Sequence, residues 1–85
     1  MSWLNLTRMK IKEICYKSKL GNYLRKARKE AGLSQEEFAD KIGINRTYYG
    51  NLERGENGAS IDKLQKISKV LNVPLSELFE QVEKQ

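Results

Sequence analysis

The segment from Ser34 to Gly55 carries two helix starts and two helix stops in one short span, which admits two short helices joined by a tight turn and little else. Ser34, with Glu37 three residues later, makes a capping box, in which the two residues reciprocally satisfy backbone N–H groups that a helix start leaves open. The helix this predicts begins at Gln35, buries Phe38, Ala39 and Ile42, and stops at Gly43 after about two turns. Asn45 is a good N-cap for the next helix, which runs to near Arg54, where Gly55 can take the left-handed conformation that ends helices. Two or three residues therefore connect the pair.

The flanks continue the helical reading. Leu20, Leu24, Ala27 and Ala31 lie four, three and four apart, one face of a helix over 20–31 that Gly32 ends, with Arg25, Lys26 and Lys29 pointing elsewhere. After a loop from Gly55 to Ala59, Ser60 caps a fourth helix with the stripe Ile61, Leu64, Ile67 or Ser68, and Leu71. Asn72, Val73 and Pro74 break it. Pro74 suits the first turn of a fifth helix, whose apolar face is Leu75, Leu78, Phe79 and Val82. No segment alternates like a strand, so the predicted class is all-α: a five-helix domain over residues 20–82 behind an N-terminal extension over 1–19. In that extension Ile11, Ile14 and Cys15 have helical spacing, Trp3, Leu4 and Leu6 follow no single period, and Met9 offers an alternative start.

If residues 45–54 are helical, Tyr49, Leu52 and Glu53 share one side, and Arg46, Thr47, Gly50, Asn51 and Arg54 share the other. That outward side is polar and narrow enough for a DNA major groove, roughly 12 Å wide, where arginine pairs with guanine, asparagine with adenine and a threonine methyl with thymine. Arg46, Thr47 and Asn51 are thus the candidate base readers. Gly50 costs about 1 kcal/mol against alanine inside a helix, which suits either a close approach of the backbone to the groove or a tolerated exposed position. Gln35, at the start of the second helix, is placed to anchor a phosphate. Tyr48, Arg54, Asn57 and Ser60 surround the same edge as further phosphate candidates. Arg28 borders the apolar stripe of the first helix and Glu53 that of the third, so a buried or half-buried ion pair between them would hold the two together. Losing either partner alone would strand a charge, and a reciprocal swap would partly restore it.

Charge agrees with this reading without deciding it. Residues 1–31 hold nine basic and two acidic side chains, and the remainder seven and nine, so the first third is strongly cationic and suited to a polyanion. Removing Lys26 is expected to weaken binding on all DNA sequences alike. One cysteine and no histidine exclude an intrachain disulfide and any multi-cysteine zinc site, so neither metal nor cofactor is expected, and Cys15 reads as a small packing residue. The longest apolar runs are two or three residues against the roughly 20 a membrane helix needs, which predicts a cytoplasmic chain that does not enter the membrane.

The stretch LSQEEFADKIGINRTYYGNLERG, followed by SIDKLQKISKVLNVPLSELF, resembles the helix-turn-helix proteins of the phage-repressor and Xre type over about residues 20–80. Ala39 and Gly43 stand at that family's small-residue and turn-glycine positions, and Phe38, Ile42, Tyr49 and Leu52 at its buried ones. The run NRTYYGNLERG is most similar to the controller proteins of restriction-modification systems, with Arg46, Thr47 and Tyr48 matching their Arg-Thr-Tyr triplet. The resemblance implies a homodimer on double-stranded DNA, with Arg46 and Thr47 reading bases and the fourth and fifth helices forming the interface, for which Leu75, Leu78, Phe79 and Val82 are the candidates. Asn57, Gly58 and Ala59 depart from the Arg-Asn-Pro type of segment common in those relatives, and the N-terminal extension has no counterpart in the shortest of them.

The expected function is a regulator that binds a pseudo-palindromic operator and acts by blocking or contacting RNA polymerase. An antitoxin-type interaction module, with Trp3, Leu4 and Leu6 facing a protein partner and DNA binding secondary, is the alternative. No catalytic triad, phosphate loop or metal set is recognisable, so enzymatic activity is not expected.

Overall fold

The computed structural model describes the backbone from Trp3 to Gln85 and the side chains from Tyr16 onward. The described residues form five helices in the order α1 (Trp3–Glu30), α2 (Gln35–Ile42), α3 (Arg46–Glu53), α4 (Ile61–Leu71) and α5 (Leu75–Glu83). The helix expected from residue 20 is thus the last part of a 28-residue helix, and the only proline of the chain, Pro74, lies far from it. The expectations attached to the side chains of Trp3, Leu4, Leu6, Ile11, Ile14 and Cys15 lie outside the described residues.

The turn chemistry acts as its residue types demand. Ser34 Oγ accepts from the Glu37 amide at 3.1 Å while the Glu37 carboxylate accepts from the Ser34 amide at 2.9 Å, which closes the capping box. At the other end of α2, Gly43 takes φ 87°, and the Ile44 amide bonds Ala39 O at 3.0 Å and the Gly43 amide Asp40 O at 3.2 Å. This is a Schellman turn, and its positive φ is strained for a residue with a Cβ. The chain leaves it already directed toward Asn45, whose Oδ1 accepts from the amides of Thr47 and Tyr48 to start α3. The same paired bonds end α1, α3 and α4.

The core gathers Leu20 and Leu24 from α1, Phe38, Ala39 and Ile42 from α2, Tyr49 and Leu52 from α3, Leu64 and Ile67 from α4, and Leu78 and Val82 from α5. Phe38 and Tyr49 meet edge to face, with ring centroids 5.6 Å apart, which joins the two short helices across their turn. The helical stripes are therefore close to the expected ones, with three corrections. Ile61 is exposed, because it stands in the first turn of α4 outside the cluster. Ala31 lies past the end of α1 in the turn and is exposed. Leu78 and Val82 have no accessible surface, since α1 and α4 pack on α5, so these two residues are core and cannot also form a subunit contact. Leu75 and Phe79 remain half-buried, and the ring of Phe79 lies 6.3 Å from that of Tyr16.

One glycine sets the distance between α1 and α3. Gly21 is buried in the middle of α1, and a Cβ there would overlap the carbonyl oxygens of Glu53 and Leu52, the latter at 2.6 Å. Backbone meets backbone at this crossing. Overpacking of a rigid contact costs about 1–3 kcal/mol, whereas alanine for glycine in an open helix interior gains about 1 kcal/mol. Gly21→Ala should therefore lower the urea midpoint by the equivalent of about 1–3 kcal/mol, the reverse of the propensity effect.

Candidate nucleic-acid interface

The interface begins with the buried carboxylate that fixes α3. Glu53 has no accessible side-chain surface, and Arg28 grips it twice, Nε to Oε2 at 2.6 Å and Nη2 to Oε1 at 3.2 Å. Arg28 Nη1 also donates to Leu33 O at 3.0 Å, which ties the turn after α1 to the same point. Gln35 Nε2 donates to Glu53 Oε1 at 3.2 Å, and Arg25, half exposed, stands 3.7 Å from that oxygen. Burial by itself raises the Glu53 carboxyl, but the hydrogen bonds, those of Arg28 foremost, outweigh it and hold the group below the usual carboxylate range. The hydrogen bond to Glu53 raises Arg28 further, and burial first, with the Glu53 carboxylate second, pushes the Tyr49 hydroxyl up.

On this support the outer edge of α2 and α3 is displayed. Arg46 and Thr47 are exposed in the first turn of α3, and Asn51 is half-buried one turn later. Arg46 is not a lone cation: its Nη1 lies 2.8 Å from Glu36 Oε2 in the first turn of α2. Asn51 Oδ1 accepts from Arg54 Nη2, while Arg54 Nε donates to Glu56 Oε1 at 3.3 Å. The Arg54 guanidinium thus folds back over its own helix. Its Nη1 stands 3.1 Å from where a Cβ of Gly50 would lie, and the Gln35 amide oxygen 3.6 Å from the same point.

These contacts correct two expectations. Gly50 is buried beneath Arg54 and beside Gln35, so its missing side chain makes room inside the protein and not against a groove. Tyr48 donates its single hydroxyl proton to Gly58 O at 3.1 Å, which leaves it no proton for a phosphate and makes it the pin of the loop after α3. That loop is held on its other side by α1, where Ser18 stands 3.3 Å from the Cβ position of Gly55 and Lys17 3.5 Å from that of Gly58. Asn57 is half-buried in the loop, and Ser60 is exposed as the N-cap of α4, its Oγ accepting from the Lys63 amide at 3.4 Å. Gln35 commits one amide proton to Glu53 and keeps a second. Lys26 lines a groove with Tyr23, Leu71, Val73 and Gln81, among α1, α4 and α5, so it lies apart from the α2–α3 edge.

The structure brings together Arg28, Glu53 and Gln35 in one cluster and Arg46, Thr47 and Asn51 on one helix edge. Sequence reasoning missed Glu36 and Arg25, because pairs that form between different helices leave no periodic trace. Gly21 had a signal that went unused: a glycine inside an otherwise regular apolar stripe.

The helix-turn-helix family model matches residues 24–78, which contain this cluster and this edge. The chain belongs to the helix-turn-helix family. It is 49% identical over 70 residues to the control protein C.MunI of a Mycoplasma species, covering 81% of this chain and 95% of that protein. The crystal structure of the restriction-modification controller protein C.AhdI from Aeromonas hydrophila superposes with a TM-score of 0.67 at 37% identity, covering 73% of this chain and 94% of that one. The transcriptional regulator SinR of Bacillus subtilis is 35% identical across 73% of this chain, which spans 57% of SinR. The matched residues take in the pair of short helices and the framework around it, and among the described residues no strand, metal-binding cluster or membrane-spanning helix accompanies it.

Arg28→Ala should destabilise the fold by about 3–5 kcal/mol, because it leaves the Glu53 carboxylate buried without its main partner. Glu53 titrates lower in the folded chain than in the unfolded one, so its share of stability is full above the unfolded value, near 4.3, and is lost as pH falls through the folded value. Urea midpoints measured downward from pH 5 should decline in the parent, and Glu53→Gln, less stable at neutral pH, should decline less steeply.

Proposed function

We propose that the chain is a transcriptional regulator that binds a pseudo-palindromic DNA operator as a homodimer, in the manner of a restriction-modification controller. The observation that carries this reading is the exposed pair Arg46 and Thr47 in the first turn of α3, with Asn51 one turn on, within the residues that the helix-turn-helix family model matches. Arg46 offers two donors to a guanine edge, Thr47 a methyl to thymine, and Asn51 an acceptor and a donor to adenine. Gln35, with its spare amide proton at the start of α2, and Asn57 and Ser60 around the following loop supply phosphate contacts; Arg54 joins them by releasing Asn51 and Glu56. The similarity to C.MunI over nearly the whole of that control protein, and to C.AhdI, favours a controller over an antitoxin.

Dimerisation through α4 and α5 uses the apolar surface left outside the core, Leu75 and Phe79 in particular. Two copies related by a two-fold axis then set half-sites about 34 Å apart, one turn of DNA. The regulator works in the cytoplasm, without a cofactor or a catalytic step, and acts on transcription by blocking or contacting RNA polymerase at the promoter it occupies.

Arg46→Ala should cost about 1–3 kcal/mol on the operator and relax preference at one base pair, while Ser60→Ala weakens operator and random duplexes by the same factor. Equal losses on both duplexes for Arg46→Ala, in fluorescence anisotropy titrations, would sink the base-reading assignment. Leu75→Lys should shift the sedimentation profile toward monomer, weaken operator binding and lower the melting temperature, because Leu75 also packs against the core and the dimer's contribution to stability is lost.

A further inference from the structure

Glu36 and Arg46 form the salt bridge that joins α2 to α3 among the described residues, at 2.8 Å, with 63% and 66% of their side chains exposed. A pair so open to water contributes little to stability. Nor does α2 need Glu36 for its start, since Glu37 closes the capping box. The carboxylate instead reaches across the turn to the first residue of α3, the position with the best view of a base edge.

Two physical consequences follow. An arginine presents five N–H donors in a planar fork. With Nη1 at Glu36, the guanidinium is biased toward one of the directions its long stem allows, and its remaining donors are turned that way more often when DNA arrives. The second consequence is electrostatic. A carboxylate at this edge repels phosphate oxygens and the acceptor atoms of base edges, and among groove groups it accepts only from exocyclic amines. Docking that leaves Arg46 without its guanine places this charge against DNA with nothing returned.

We propose that Glu36 is a specificity-determining residue that acts by positioning Arg46: bound to Nη1, it aims the guanidinium at a guanine edge and penalises docking on any other sequence. This rests on Arg46 being a base reader, as proposed above. Glu36 lowers affinity for random DNA and widens the gap between operator and random sequence.

The test compares the full chain with E36A, E36Q, R46A and the double variant E36A/R46A. The probes are a duplex selected by the parent protein from a randomised library, single-base-pair variants of it, and a scrambled duplex of the same composition. Both Glu36 variants should melt like the parent and bind the scrambled duplex severalfold more tightly. E36A should lower the ratio of selected to scrambled affinity by about tenfold, on the scale of one well-made arginine–guanine contact. E36Q, which retains an acceptor for Nη1, should keep more of the preference at the Arg46 base pair than E36A does. In the R46A background, E36A should change that preference no further. The proposal is overturned if E36A shifts selected and scrambled duplexes by the same factor, or if its effect on base preference persists without Arg46. If R46A alone weakens both duplexes equally, the base-reading assignment fails and this proposal with it; if R46A loses preference and E36A does not, only the positioning role is overturned.

Discussion

A single buried carboxylate organises this molecule. Glu53 ends α3, and the donors that satisfy it come from α1 through Arg28 and from the first residue of α2 through Gln35. Three helices thus converge on two oxygen atoms. A buried ion pair is a poor source of net stability compared with an apolar contact of the same volume, since removing two charges from water costs about what their attraction returns. Its value here is directional. Leucine in place of glutamate could fill the space, but it could not fix the rotation of α3 about its axis, and that rotation decides which of Arg46, Tyr49 or Asn51 faces outward.

The apolar core and the polar cluster accordingly divide the work. Phe38, Tyr49 and Leu52 attach the two short helices to each other and to the rest, by contacts that tolerate small rotations. The Arg28–Glu53–Gln35 cluster removes that tolerance. The outer edge is then bonded within itself, Arg46 to Glu36 and Arg54 to Asn51 and Glu56, so the side chains proposed to meet DNA have defined starting positions. For a chain of this size such preorganisation matters, because each long side chain ordered only on binding would subtract from affinity.

Much of this was legible in the sequence because it is local. Capping boxes, turn glycines and apolar spacing depend on residues three or four apart, so α2 through α5 emerged with boundaries close to the observed ones, and the Arg28–Glu53 pair followed from the borders of two stripes. What was not legible depends on contacts between elements. The single helix from Trp3 to Glu30 has weak periodicity in its first half, so nothing in the spacing joined residues 3–19 to the rest. Leu78 and Val82 looked like surplus apolar surface only because the cover supplied by α1 could not be counted. Helical angle puts Gly50 on the outward side and Tyr48 beside it, whereas Arg54 and Gly58 claim them, one by a side chain that folds back and one from a loop. Helical angle gives a direction but does not say what already stands there.

The contact at Gly21 also bears on how such a chain diverges. Because main chain touches main chain where α1 crosses the end of α3, the angle between these helices rests on Gly21 and on backbone atoms of α3, and on no side chain of the outer edge. Side chains on the outer edge of α3 can then be exchanged without disturbing the angle at which the helix is presented. On the proposed assignment of that edge to base reading, frame and reader are mechanically uncoupled, so a new sequence preference can arise through changes along the edge alone, with the fold inherited unaltered.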